Sequence, residues 1–261
     1  MLKKLYKYDF RCSARTVLPM FIIYFVIAVA TKIMNVLDIK HPIFEASFAV
    51  VVFAFGILTF ALVFYGFGTA MMRFKKNLFT DEGYLMNTLP VKPWQHVTSK
   101  LLNAFTWGIF CMIATAVGIC LMLFGEGLLG EFSDFIKMVG KFFENAHAAQ
   151  ITELILSFFS ILGFIITLSL CGFFWTALES SFPYLKKRWV AVASGIATFL
   201  VLTICSFFYN ILIEGFAEMF EITEIWRGVF SMAVSIVIMI ILSVAFFIGT
   251  CKLMEKKLNL E

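Results

Sequence analysis

Charge is scarce in this sequence, and its long apolar runs contain almost none. Only 15% of the 261 residues are Asp, Glu, Lys or Arg, while 61% are hydrophobic, well above the roughly 45–50% of ordinary soluble domains. Titratable groups in the interiors of those runs would be needed to carry protons through hydrocarbon. Their absence argues against a proton-coupled carrier, although sodium coupling through backbone and hydroxyl oxygens stays open. The sequence has no GxxxxGK[ST], so nothing in it can cradle a nucleotide phosphate as a P-loop does, and any ATP hydrolysis falls to another subunit. HExxH and GxSxG are also absent, and His41, His96 and His147 are scattered in predicted loops, so no membrane-embedded hydrolase is expected. The six cysteines show no CxxC spacing and lie mostly in apolar runs. They read as buried free thiols packing as small hydrophobes, with no metal or redox centre.

The composition that remains is that of an all-α integral membrane protein, with 1–261 as a single transmembrane domain. Six apolar runs are long enough to cross a hydrocarbon core of about 30 Å: near 17–36, 46–72, 97–124, 153–177, 189–213 and 228–250. Pro19 is expected in the first turn of the first span, where a missing N–H does least harm. Basic residues followed by VLPMFIIYFVIAVA resemble a signal peptide. The apolar run continues through Ile33, Met34 and Val36, however, and an uncleaved anchor is expected.

Cations set the orientation. One side of the six runs carries Lys3, Lys4, Lys7, Arg11 and Arg15, then Arg73, Lys75, Lys76, Lys92 and Lys100, then Lys186, Lys187 and Arg188, then Lys252, Lys256 and Lys257. The other side holds only Lys32, Lys40, Lys137, Lys141 and Arg227. By the positive-inside rule both termini and the segment 73–96 are cytoplasmic, and the acidic loops face outward.

Three segments have the pattern of helices lying along the membrane. In residues 1–16 the five cations share one helical face, with Leu2, Leu5, Tyr6, Phe10 and Cys12 opposite and Asp9 interrupting the apolar side. That is either an amphipathic helix on the inner leaflet or a basic flank that sets topology. Between spans three and four, Leu128, Phe132, Phe135, Ile136, Val139, Phe142, Phe143 and Ala146 oppose Asp134, Lys137, Lys141 and Glu144. Residues 214–226 repeat the theme, with Glu214, Glu218 and Glu221 opposite Phe216, Phe220 and Trp226, and their acidic face reads as solvated.

The most informative stretch is cytoplasmic, RFKKNLFTDEGYLMNTLPVKPWQHVTSK, residues 73–100. Thr80, Asp81 and Glu82 supply a cap and first-turn acids for a short helix. Leu85, Leu89 and Trp94 offer it apolar contacts, and Leu89-Pro90 ends it. The run D-E-G-Y-L-x-x-T-L-P-V, followed by Lys100 at the opening of a new span, resembles the cytoplasmic loop of ABC-2 type transporter permeases, the membrane subunits of bacterial ABC exporters. The motif covers about 20 residues, and the six-span layout extends the likeness over most of the chain.

What the resemblance implies is specific. The loop residues Asp81, Glu82, Gly83, Tyr84, Leu85, Thr88, Leu89 and Pro90 would dock on a separate ABC ATPase subunit and transmit its motion. ATP and Mg would be bound in that partner, with no cofactor in this chain. A second permease chain would complete a homo- or heterodimer in a bacterial plasma membrane. No nucleic acid partner is expected. Closure of the ATPases would push the loops, tilt span two against span five, and expel a peptide, drug or lipid-like solute outward. Candidate pathway residues on span two are Phe53, Phe55, Gly56, Phe60, Phe64 and Gly66, positions that also suit plain helix packing. One departure is the amphipathic segment between spans three and four, where the family elaborates the loop between five and six. The alternative function is a non-transporting sensor or assembly factor that holds a cytoplasmic partner through the same loop.

Overall fold

A computed structural model describes residues 2–37, 41–79, 91–123, 133, 136–137, 140–141, 143–144, 147–181, 215 and 224–258. Among the described residues there are five long helices and no strand: α1 Leu2–Leu37, α2 Pro42–Phe79, α3 Pro93–Leu123, α4 Ala148–Ser181 and α5 Glu224–Leu258. Each is long and apolar enough to cross a membrane, and each covers one of the expected runs. The sixth run, 189–213, lies outside the described residues, as does most of the two amphipathic segments at 128–146 and 214–226. Of the residues named on their two faces, Ile136, Lys137, Lys141, Phe143, Glu144 and Trp226 are described, and all are helical and exposed.

The helix ends follow local chemistry. His41 precedes α2; its carbonyl accepts from Phe44 and Glu45 N–H, and its Nδ1 accepts from Ile43 N–H. His147 does the same for α4, accepting from Gln150 N–H, while its own N–H donates to Gln150 Oε1 at 3.0 Å. The second bond is the side-chain half of a capping box, the residue three places into the helix reaching back to the N–H that precedes it.

At 36 residues α1 runs about 54 Å, far more than a hydrocarbon core requires. The basic start and the first span are therefore one helix, and Pro19 lies within it. Lys3, Lys4, Lys7, Arg11 and Arg15 do form an exposed face. The opposite face packs on protein: Phe10 stacks on Trp107 with centroids 5.1 Å apart, and Asp9 and Ser13 are buried.

The chain divides into two compact units, Met1–Met72 with Leu102–Phe142, and Arg73–Leu101 with Phe143–Glu261. In the first, Tyr24 meets Thr115 and Gly118 of α3, and Ser13 meets Asn103, so α1 and α3 run parallel. Tyr65 donates to the Thr16 carbonyl, whereas Thr59 and Phe55 reach Tyr24, so α2 runs antiparallel to α1. The core is Val17, Tyr24, Ala28, Phe55, Leu62, Trp107, Cys111 and Ala114.

In the second unit α4 and α5 lie side by side. Glu153 faces Gly228, Gly163 faces Met239, Thr167 faces Ser243, and Phe174 faces Gly249. Both numbers rise together, so this pair is parallel. Lipid tails are as apolar as leucine, so no hydrophobic force drives helices together inside a bilayer; close approach and polar bonds must hold them. Both are present. A Cβ on Gly249 would fall 2.8 Å from the Phe174 ring, and the Thr167 and Ser243 hydroxyls are 2.9 Å apart.

Candidate functional site

The eight loop residues that carry the family resemblance, Asp81, Glu82, Gly83, Tyr84, Leu85, Thr88, Leu89 and Pro90, lie outside the described residues. The helix ends on either side of the loop are described, and both belong to the unit that holds α4 and α5.

On the incoming side, the last two turns of α2 are fixed to the last turns of α4. Phe74 and Phe173, both fully buried, stack with centroids 4.3 Å apart and planes 14° from parallel. Lys75 Nζ donates to both oxygens of Glu179, at 2.8 and 2.9 Å. The Glu179 side chain is 15% exposed and that of Lys75 41%. Asn77 and Leu78 are buried beside them, and Phe79 meets Phe74 edge-on at 5.7 Å. A carboxylate near a span end can reach water by snorkelling, but Glu179 is held in a two-point ion pair between helix ends.

On the outgoing side, Gln95 N–H bonds to the Lys92 carbonyl as α3 begins. Trp94 is exposed. His96, Val97, Ser99 and Lys100 are all buried within the first two turns. His96 is thus a helical, buried residue and not a loop histidine. Lys100 lies two turns inside α3 and is 2% exposed. A lysine is rarely so buried.

In the first unit the polar residues at the start of α1 and along α3 form a second cluster. Asn103 Nδ2 donates to Ser13 Oγ at 2.8 Å, and Tyr6 Oη to Thr106 Oγ1 at 3.4 Å. Asn103 Oδ1 and Trp107 Nε1, one turn apart on α3, are buried and have no hydrogen-bond partner among the described residues. Seen along α3, His96, Lys100, Asn103, Trp107, Cys111 and Ala114 make one buried stripe at helical spacing.

The pathway candidates separate by face. Phe53, Phe60 and Phe64 are exposed, and a Cβ on Gly56 would meet open space. Phe55, by contrast, is core and stacks on Tyr24, and Gly66 packs against Cys111 Sγ. One helix face therefore packs and the other is left to lipid or a partner. Period 3.6 marks two such faces in the sequence, but it cannot tell which one the neighbouring helices will cover.

None of the described cysteines is in a disulfide, but only Cys111 and Cys171 are buried; Cys12 and Cys251 are partly buried and Cys120 is exposed. Apolar surroundings in the sequence thus did not mean protein burial, since lipid satisfies a thiol at Cys120 equally well. Among the described residues no three His, Cys, Asp or Glu side chains gather in a set that could hold a metal ion. Compared with known proteins, the chain matches no family model, no curated protein and no solved structure.

Proposed function

We propose that this chain is the membrane-spanning permease subunit of an ATP-driven exporter of the ABC-2 type, with six transmembrane helices and both termini in the cytoplasm of a bacterial cell. The observation that carries the reading is the TDEGYLMNTLP segment, set directly between the anchored end of α2 and the buried start of α3. A loop whose stems are fastened in this way can pass a displacement into the helices, where a slack connection would absorb it.

The number of spans draws support from the parallel packing of α4 and α5. Two successive helices that point the same way require the chain between them to return to the starting side, and residues 182–223 include the apolar run 189–213. Through hydrocarbon a lone segment returns only as a helix, because its backbone groups find no other partners there. The ion pair between Lys75 and Glu179 puts the ends of α2 and α4 together, in accord with an orientation in which both reach the cytoplasmic face.

In this reading a separate ATPase docks on residues 81–90, two permease chains assemble with two ATPases, and closure of the ATPases drives alternating access for a peptide, drug or lipid-like solute. The exposed face of α2 with Phe53, Gly56, Phe60 and Phe64 is the surface available to the second permease chain or the cargo.

Co-purification in mild detergent tests the proposal. An ABC ATPase should accompany the wild-type chain and be lost from a Glu82→Arg, Leu89→Asp double variant. Absence of an ATPase from both preparations would defeat it.

A further inference from the structure

We infer that Lys75 and Glu179 are the coupling link through which motion of the cytoplasmic loop reaches the membrane, and that the body it moves is the α4–α5 pair together with the end of α2. This rests on the proposed docking role of the loop and adds to it the residues that carry the motion onward.

The loop begins one residue after Phe79, so any displacement it receives enters the last turns of α2. Those turns are not free to move alone. Phe74 is stacked face to face on Phe173 in a fully buried site, and Lys75 grips both oxygens of Glu179 one to two helical turns further along α4. The two contacts differ in kind. The ring pair resists separation but tolerates sliding, since stacked faces lose little when offset. The two-point ion pair fixes register, because Nζ must stay within hydrogen-bond reach of two oxygens at once. Together they prevent both lift and slip.

From α4 the displacement passes to α5. The two helices are in contact from Glu153 beside Gly228, through the Thr167 and Ser243 hydroxyls, to Phe174 seated on Gly249. A parallel pair joined over that length moves as one piece, since close-packed surfaces have discrete arrangements and do not shear continuously.

The test uses the ATPase that co-purifies with the wild-type chain, reconstituted with it in proteoliposomes. Lys75→Gln and Glu179→Gln should retain the ATPase to within about threefold of wild type, yet lose most of the stimulation of hydrolysis that the chain provides. The reversed pair, Lys75→Glu with Glu179→Lys, should restore it. A merely structural ion pair would lower thermal stability and yield without separating binding from stimulation. Stimulation that survives in both single variants would overturn the inference while leaving the docking reading intact. If no ATPase binds the wild-type chain, the docking reading itself fails, and the mechanical claim is decided without a partner. Spin labels at Lys76→Cys and Ser180→Cys should give a narrow distance distribution that broadens in Lys75→Gln and narrows again in the reversed pair. An unchanged width would refute the link.

Discussion

Replacing Gly118 by alanine should loosen the first unit by a calculable amount. A Cβ at this position would lie 2.6 Å from Cζ of Tyr24, and closer still to Cε1 and Oη, where carbon atoms in contact need about 3.5–4.0 Å. The ring therefore has to withdraw by about 1 Å or more, and it has nowhere to go. Tyr24 is 1% exposed, its hydroxyl donates to the Thr115 carbonyl at 3.3 Å and accepts from Thr59 Oγ1 at 3.4 Å, and its face is stacked on Phe55. Overpacking costs about 1–3 kcal/mol, and two interhelical bonds lost in a bilayer add about 0.6 kcal/mol each. Against this, alanine gains up to about 1 kcal/mol over glycine in helix propensity. The net expectation is a loss of about 1–3 kcal/mol, measured by reversible unfolding in mixed micelles. A double-mutant cycle isolates the cause: in a Tyr24→Ala background, Gly118→Ala should cost nothing or stabilise. If the cost is the same in both backgrounds, the contact with Tyr24 is not what the glycine is for.

Further expectations use the same assay unless stated. Gly56→Ala, on the open face of α2, should be neutral or stabilising by up to about 1 kcal/mol, and a large loss in the isolated chain would show that this face is covered. Ser13→Ala leaves the buried Asn103 amide without its only described partner and should cost about 1–2 kcal/mol. Gln150→Ala removes the bond from His147 N–H and should cost about 0.5–1 kcal/mol, read most directly as faster amide exchange in the first turn of α4.

Much of the fold was legible because the bilayer imposes a length rule that does not depend on the rest of the chain. Runs of apolar residues near 17–36, 46–72, 97–124, 153–177 and 228–250 each mark a helix, and they do so without knowledge of any neighbour. What the sequence could not show is which helix faces which. The pairing of Lys75 with Glu179 joins residues 104 apart, and no local period announces it. Pro19 misled in a different way: a proline that fits a helix start also fits the interior of a longer helix when flanking residues pack well enough to offset its lost bond, as the fully buried Val17 does in the core of the first unit. His96 and Lys100 looked like surface residues because titratable side chains usually are. Their burial depends on tertiary packing of α3 that no short window encodes. The loop motif remains the strongest functional signal, and it is a sequence signal; the helix ends around it supply the mechanical context.

The central claim is that this chain converts ATP hydrolysis by a partner into movement of membrane helices. Its most direct test is the hydrolysis rate of the co-purifying ATPase in proteoliposomes, with the wild-type chain, with the Glu82→Arg, Leu89→Asp variant, and with no chain. The expected result is a rate that rises with the wild-type chain and falls to the chain-free level with the variant. A rate indifferent to the wild-type chain, despite tight binding, would contradict the exporter account and favour a membrane protein that holds its partner without driving it.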